Sequence, residues 1–77
     1  MKEIAQEAWS WILFQEGERR VLTVVLGGVA QWNFSVELTA EESAAWEARG
    51  AAGIEALVHA IQQSPDGHRT RKVPNPQ

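Results

Sequence analysis

The hydropathy pattern predicts an α+β fold: a three-stranded antiparallel β-meander with one long C-terminal α-helix packed on one face. Three observations lead there. Ala30, Trp32, Phe34, Val36 and Leu38 alternate with Gln31, Asn33, Ser35 and Glu37, the period of a strand with one wet face. Gly27-Gly28 separates that run from Arg20–Leu26, which is rich in β-branched residues, and paired glycines suit the positive φ angles of a two-residue hairpin. Beyond Thr39 the apolar residues recur at steps of three and four, the period of an amphipathic helix.

The first strand is expected at about Ala8–Gln15, where Trp9, Trp11, Ile12 and Phe14 are strand formers and Glu16-Gly17 can turn the chain. Ile4, Ala5, Ala8, Trp9 and Ile12 also fit helical spacing, so a helix from Lys2 to Leu13 stands as the alternative. The second strand rests on Val21, Thr23, Val24 and Val25, and the third on the alternation above. Thr39 and Glu42 have the spacing of a capping box, and Glu41 and Glu42 oppose the positive end of the helix dipole. The helix stripe runs Trp46, Gly50, Gly53, Ile54, Leu57, Val58, Ile61. Each interior glycine costs about 1 kcal/mol relative to alanine, so the helix should kink there or take a bulky side chain against bare backbone. Ser64-Pro65-Asp66-Gly67 ends it. Residues 1–67 therefore read as one domain. Residues 68–77, with two prolines, three basic residues and only Val73 as an anchor, read as a flexible basic C-terminal arm.

At 77 residues and 8.6 kDa the chain has room for one core. Its 44% hydrophobic and 22% charged residues are those of a soluble globular domain. The longest apolar run, Trp11-Ile12-Leu13-Phe14, is far below the roughly 20 residues that span a bilayer. Glu3 and Glu7 stand where a signal peptide would be basic and then apolar. Without cysteine there are no disulfides and no cysteine–histidine metal clusters, in keeping with a cytoplasmic location. Residues 1–63 carry four Lys/Arg against nine acids, and residues 64–77 carry three against one. An acidic body with a short basic tail argues against nucleic acid as partner.

Tracing the two-residue turns puts Val21, Thr23 and Val25 beside Trp32, Phe34 and Val36, on the side expected to meet the helix. Trp9, Trp11, Leu13, Leu22, Val24 and Leu26 then share the outer face, which one helix cannot also cover. Two tryptophans there make a patch near the largest a soluble monomer exposes, so this face is expected to be an interface between two copies. Trp32 and Trp46 are expected in the core.

Reactive chemistry is not indicated. His59 lies one helical turn from Glu55 and reads as a surface pair, and His68 follows a turn with no orienting partner. Arg19 and Arg20 open a strand and point to opposite faces, so they form no joint anion clamp. No spacing calls for a metal or other cofactor, and no serine has a nucleophile-elbow context. The run Leu22-Thr23-Val24-Val25-Leu26-Gly27-Gly28, then Ser35–Glu42, then Trp46, Gly50, Ile54, Leu57, Ile61 and Pro65, resembles small uncharacterised bacterial hairpin-plus-helix proteins of the mobile-element and integron gene-cassette kind. The resemblance implies a fold and brings no site residue. The resulting expectation is a non-enzymatic interaction module, a homodimer, of an accessory or immunity/antitoxin-like kind that binds another protein. The alternative is a small-molecule binder with a tryptophan-lined apolar cleft.

Overall fold

The computed structural model describes residues 1–8, 10–27 and 32–75. The fold is α+β with an antiparallel sheet, but the sheet has five strands: β1 (Lys2–Glu7), β2 (Trp11–Glu16), β3 (Arg19–Leu26), β4 (Trp32–Glu37) and β5 (Lys72–Val73), in that spatial order. Two helices, α1 (Ala40–Arg49) and α2 (Ala51–Gln63), follow β4, and a 3-10 helix (Pro65–Arg71) leads into β5.

The N-terminal segment corrects the first expectation. Lys2–Glu7 is neither helix nor loop but an edge strand paired with β2, with an irregularity between Glu3 and Ala5. The connection between them is pinned by Ser10 N–H to Glu7 C=O (3.0 Å) and Val25 N–H to Ser10 C=O (2.8 Å). Trp9 lies outside the described residues.

The β3–β4 register corrects the second. Leu26 pairs with Trp32, Val24 with Phe34 and Leu22 with Val36, and the described part of β4 begins at Trp32; residues 28–31, which hold the second glycine of the expected turn and Ala30, lie outside the described residues. The two-residue hairpin would have put Thr23, not Leu26, opposite Trp32. A shift of three positions, being odd, turns β4 over relative to β3. The apolar residues of β4 thereby join Trp11, Leu13, Leu22, Val24 and Leu26. The β2–β3 pairing differs from expectation by an even step (Trp11 opposite Val24 rather than Leu22), which leaves its faces unchanged. One side of the sheet now carries most of the large apolar side chains, and this is the side that α2 covers. The core consists of that set with Phe34, Val36, Leu38, Ile54, Val58 and Ile61.

The other side is more polar and is nonetheless partly closed. Phe14 and Val21 are buried there, flanked by the Arg19–Glu37 ion pair (2.6 Å). Thr23 and Ser35 are fully buried, with their hydroxyls 2.7 Å apart, and Ser35 Oγ donates to Asn75 Oδ1 at 2.6 Å. The total accessible surface is 4942 Å². Size scaling gives about 4,700 Å² for a folded monomer of this mass. The single chain thus buries what a self-sufficient domain buries.

The single long helix of the sequence reading is broken into two at Gly50, which adopts φ 62° and ψ −139°. That conformation is open to glycine and strained for any other residue. Gly53 lies against α1: a Cβ there would overlap the carbonyl group of Ala45. The space at the bare backbone is taken by another backbone, not by a bulky side chain. Arg20 ties this corner to the sheet through Glu47 (3.2 Å) and Gln15 (3.3 Å).

The tail corrects the expectation of a free arm. Val73 pairs with Ser35 and Lys72 with Val36. Arg71 reaches Glu42 (2.6 Å) and the Glu37 carbonyl (2.9 Å), while Glu42 also completes the capping box with Thr39. Partial burial works to raise the Glu42 pKa, but hydrogen bonds from Arg71 and the Thr39 backbone outweigh it and hold the carboxyl below its ordinary 4.5. A carboxylate depressed in the folded state stabilises above its unfolded pKa, and that contribution is lost as pH falls through the lower folded value.

Two outcomes test these contacts. In an uninterrupted helix Gly53→Ala would stabilise by about 1 kcal/mol. At this corner it should destabilise by roughly 2 kcal/mol, read as a fall in the urea midpoint with unchanged slope. Arg71→Ala should cost about 1 kcal/mol at neutral pH, because the pair is partly exposed. The difference from the unsubstituted chain should shrink in urea titrations run at pH values falling through the depressed folded pKa of Glu42.

Candidate functional site

The corner between α1 and α2 leaves a cleft of about 550 Å³ between the edge strand β1 and the helices. Its floor is Trp11, the first residue of β2, only 5% exposed. Its wall on the α1 side is Trp46, half-buried against the core. The two indoles meet with centroids 6.4 Å apart and planes at 82°, the edge-to-face arrangement aromatic quadrupoles favour. Trp11 is further fixed by its Nε1–H, which donates to Glu7 Oε2 at 3.0 Å. Glu7 is four residues away in sequence but reaches Trp11 across the β1–β2 turn.

Helix α2 supplies the opposite side. Ala51, Glu55, Val58, His59 and Gln62 follow one another at three- and four-residue steps and a single step of one, so they form one stripe facing β1. Gln62 Nε2 lies 3.5 Å from Ser10 Oγ, linking helix to turn at one end of the cleft. Glu7 and Glu55 are the charged lining groups, both acidic, and no Lys or Arg lines the cleft. A second, smaller depression of about 430 Å³ lies at the end of the sheet, bounded by Trp32, Asn33, Ile12 and Asn75. Among the described residues no three His, Asp or Glu side chains gather where they could hold a metal ion.

The structure places the residues expected at an interface elsewhere. Trp11, Leu13, Leu22, Val24 and Leu26 are all buried within the chain's own core, and Trp9 lies outside the described residues. The physical reason is the odd register shift between β3 and β4, which moved the helices onto the face that would have been left open. Trp32, expected in the core, is 46% exposed at the start of β4, where it packs edge-on to Phe34 at 6.0 Å. Arg19 and Arg20 do diverge, one to Glu37 and the other to Glu47. His59 and Glu55 share the cleft wall rather than a plain solvent face.

The cleft-lining set that the sequence reading did not assemble is Glu7, Trp46, Glu55 and Gln62 around Trp11. The helical spacing of 55, 58, 59 and 62 carried part of that signal. Without β1 as a strand and Gly50 as a corner, nothing in the sequence brings the rest to the same place. A comparison with protein families, curated proteins and solved structures finds no match to this chain.

Because Leu22 is fully buried, Leu22→Glu should abolish the cooperative unfolding transition of the isolated chain. An unpaired buried charge costs several kcal/mol, comparable to the roughly 5 kcal/mol that a small domain has in total. At a surface contact between copies the same change would dissociate them and leave a folded monomer. Circular dichroism during thermal unfolding distinguishes the two results.

Proposed function

We propose that this chain is a small-molecule-binding module whose guest lies in the cleft between β1 and α2, with its apolar part against Trp11 and Trp46. The observation that carries the reading is the fixed indole pair at the base of an open cleft. A volume of about 550 Å³ is within the range of small-ligand sites, about 300–1,000 Å³. Such sites combine apolar walls with a few placed polar groups, and Glu7, Ser10, Glu55 and Gln62 supply these here. Trp11 costs little to organise on binding, because packing and the bond to Glu7 already hold it.

The alternative, a homodimeric interaction module, has less to support it. Its expected contact surface is occupied by α1 and α2. The free edge of β1 carries Lys2, Glu3 and Glu7 and an irregularity at Ile4, the features by which edge strands resist pairing with another copy.

The reading is tested with benzyl alcohol, a neutral aromatic, while the tryptophan indole N–H resonances are followed by NMR. Saturable shifts of the Trp11 and Trp46 signals with an unmoved Trp32 signal are expected, and Trp46→Ala should lose the response while staying folded. Movement of Trp32 alone, or no saturable shift, would overturn the assignment. Light scattering on the same sample should give a mass of 8.6 kDa. A mass near twice that would return contact between copies to first place.

A further inference from the structure

The charge of the cleft narrows what it would hold, and we infer that its guest is a small organic cation, of the quaternary ammonium or alkylated amine class. This rests on the small-molecule reading above and deepens it. The carboxylates of Glu7 and Glu55 come from opposite sides of the cleft, one at the end of β1 and the other on α2, and no lining Lys or Arg neutralises them. Glu7 holds Trp11 with one oxygen, Oε2. A negatively charged guest would face repulsion from both carboxylates, and a positively charged one gains more from them than a neutral hydrogen-bond donor does.

The aromatic geometry points the same way. A cation is attracted to the face of an indole. Trp46, only half-buried, is the more accessible indole of the cleft, and Trp11, met edge-to-face at 82° with centroids 6.4 Å apart, forms the floor beside it. A methylated ammonium suits such a cleft because its charge is spread over an apolar surface and its hydration is weak. A bare ammonium or a metal ion would surrender more water than indoles replace. Two indoles and two acids, with no Lys or Arg among the lining residues and His59 beside Glu55, make a consistent set for this class of ligand. The acids steer the guest and set its sign, and the tryptophans provide the contact.

The discriminating experiment compares choline with its neutral isostere, in which a quaternary carbon replaces the nitrogen, on the full chain at low ionic strength. The indole resonances of Trp11 and Trp46 again report occupancy. Choline should bind about tenfold more tightly than the isostere, the ratio that one fully engaged cation–π site with nearby carboxylates supplies. Glu55→Gln, an isosteric change at an exposed residue of the cleft wall, should erase most of that ratio. Equal binding of the two probes would overturn the cation inference and leave the small-molecule reading standing. So would binding of benzyl alcohol without choline. Failure of choline, the isostere and benzyl alcohol alike would overturn both. Retention of the full ratio in Glu55→Gln, with Glu7→Gln also without effect, would contradict the role given to the acids.

Discussion

Val24 sits opposite Phe34 and Leu22 opposite Val36, and the rest of the molecule depends on this register. A sheet whose strands alternate has two faces, and a helical layer can cover one of them. With this pairing the side chains of Trp11, Leu13, Leu22, Val24, Leu26, Phe34 and Val36 lie together, and Ile54, Val58 and Ile61 close over them. Hydrophobic burial is then concentrated in one cluster, the arrangement that gives a domain of this size its best prospect of standing alone. The opposite face keeps the hydroxyls of Thr23 and Ser35, which bond each other rather than remain unpaired.

The helical layer has its own constraint. It breaks at Gly50, and α2 packs against both α1 and β3. Close approach of α2 to α1 is possible because residue 53 has no side chain. The same break sets Trp46 over Trp11 and aligns the α2 stripe with β1, so the cleft is a by-product of how the core is covered. Arg71, bonded to Glu42, anchors the last strand to the start of α1 and so closes the chain on itself.

What could be read from the sequence was what is encoded locally. The capping box joins residues three apart, the strand alternation spans a few positions, and the helix punctuation stands in one tetrapeptide. The capping box and the helix end at Ser64 appear in the structure, as does the strand from Trp32 to Glu37, while Ala30 and Gln31 lie outside the described residues. What escaped was set by long-range or parity-sensitive relations. Lys2–Glu7 has five of its six side chains exposed, so its strand character lies in main-chain pairing and leaves little trace in hydropathy. The β3–β4 pairing is offset by three positions from that of a two-residue turn, and an odd offset is enough to exchange the two faces of β4. The inferred outer face was therefore a correct grouping of β2 and β3 residues on the wrong side of the sheet. The cleft inherits each of these: Glu7 needs β1, Trp46 needs the corner, and Trp11 needs the helices on its side.

The central claim, that the Trp11–Leu22–Val24–Val36 face is the one beneath α2, can be read directly from methyl nuclear Overhauser effects in solution. Cross-peaks from Ile54, Val58 and Ile61 to the methyls of Leu22, Val24 and Val36 are predicted. Cross-peaks from the same helix residues to Val21 and Val25 instead would show the opposite face packed against α2 and contradict the register on which the account rests.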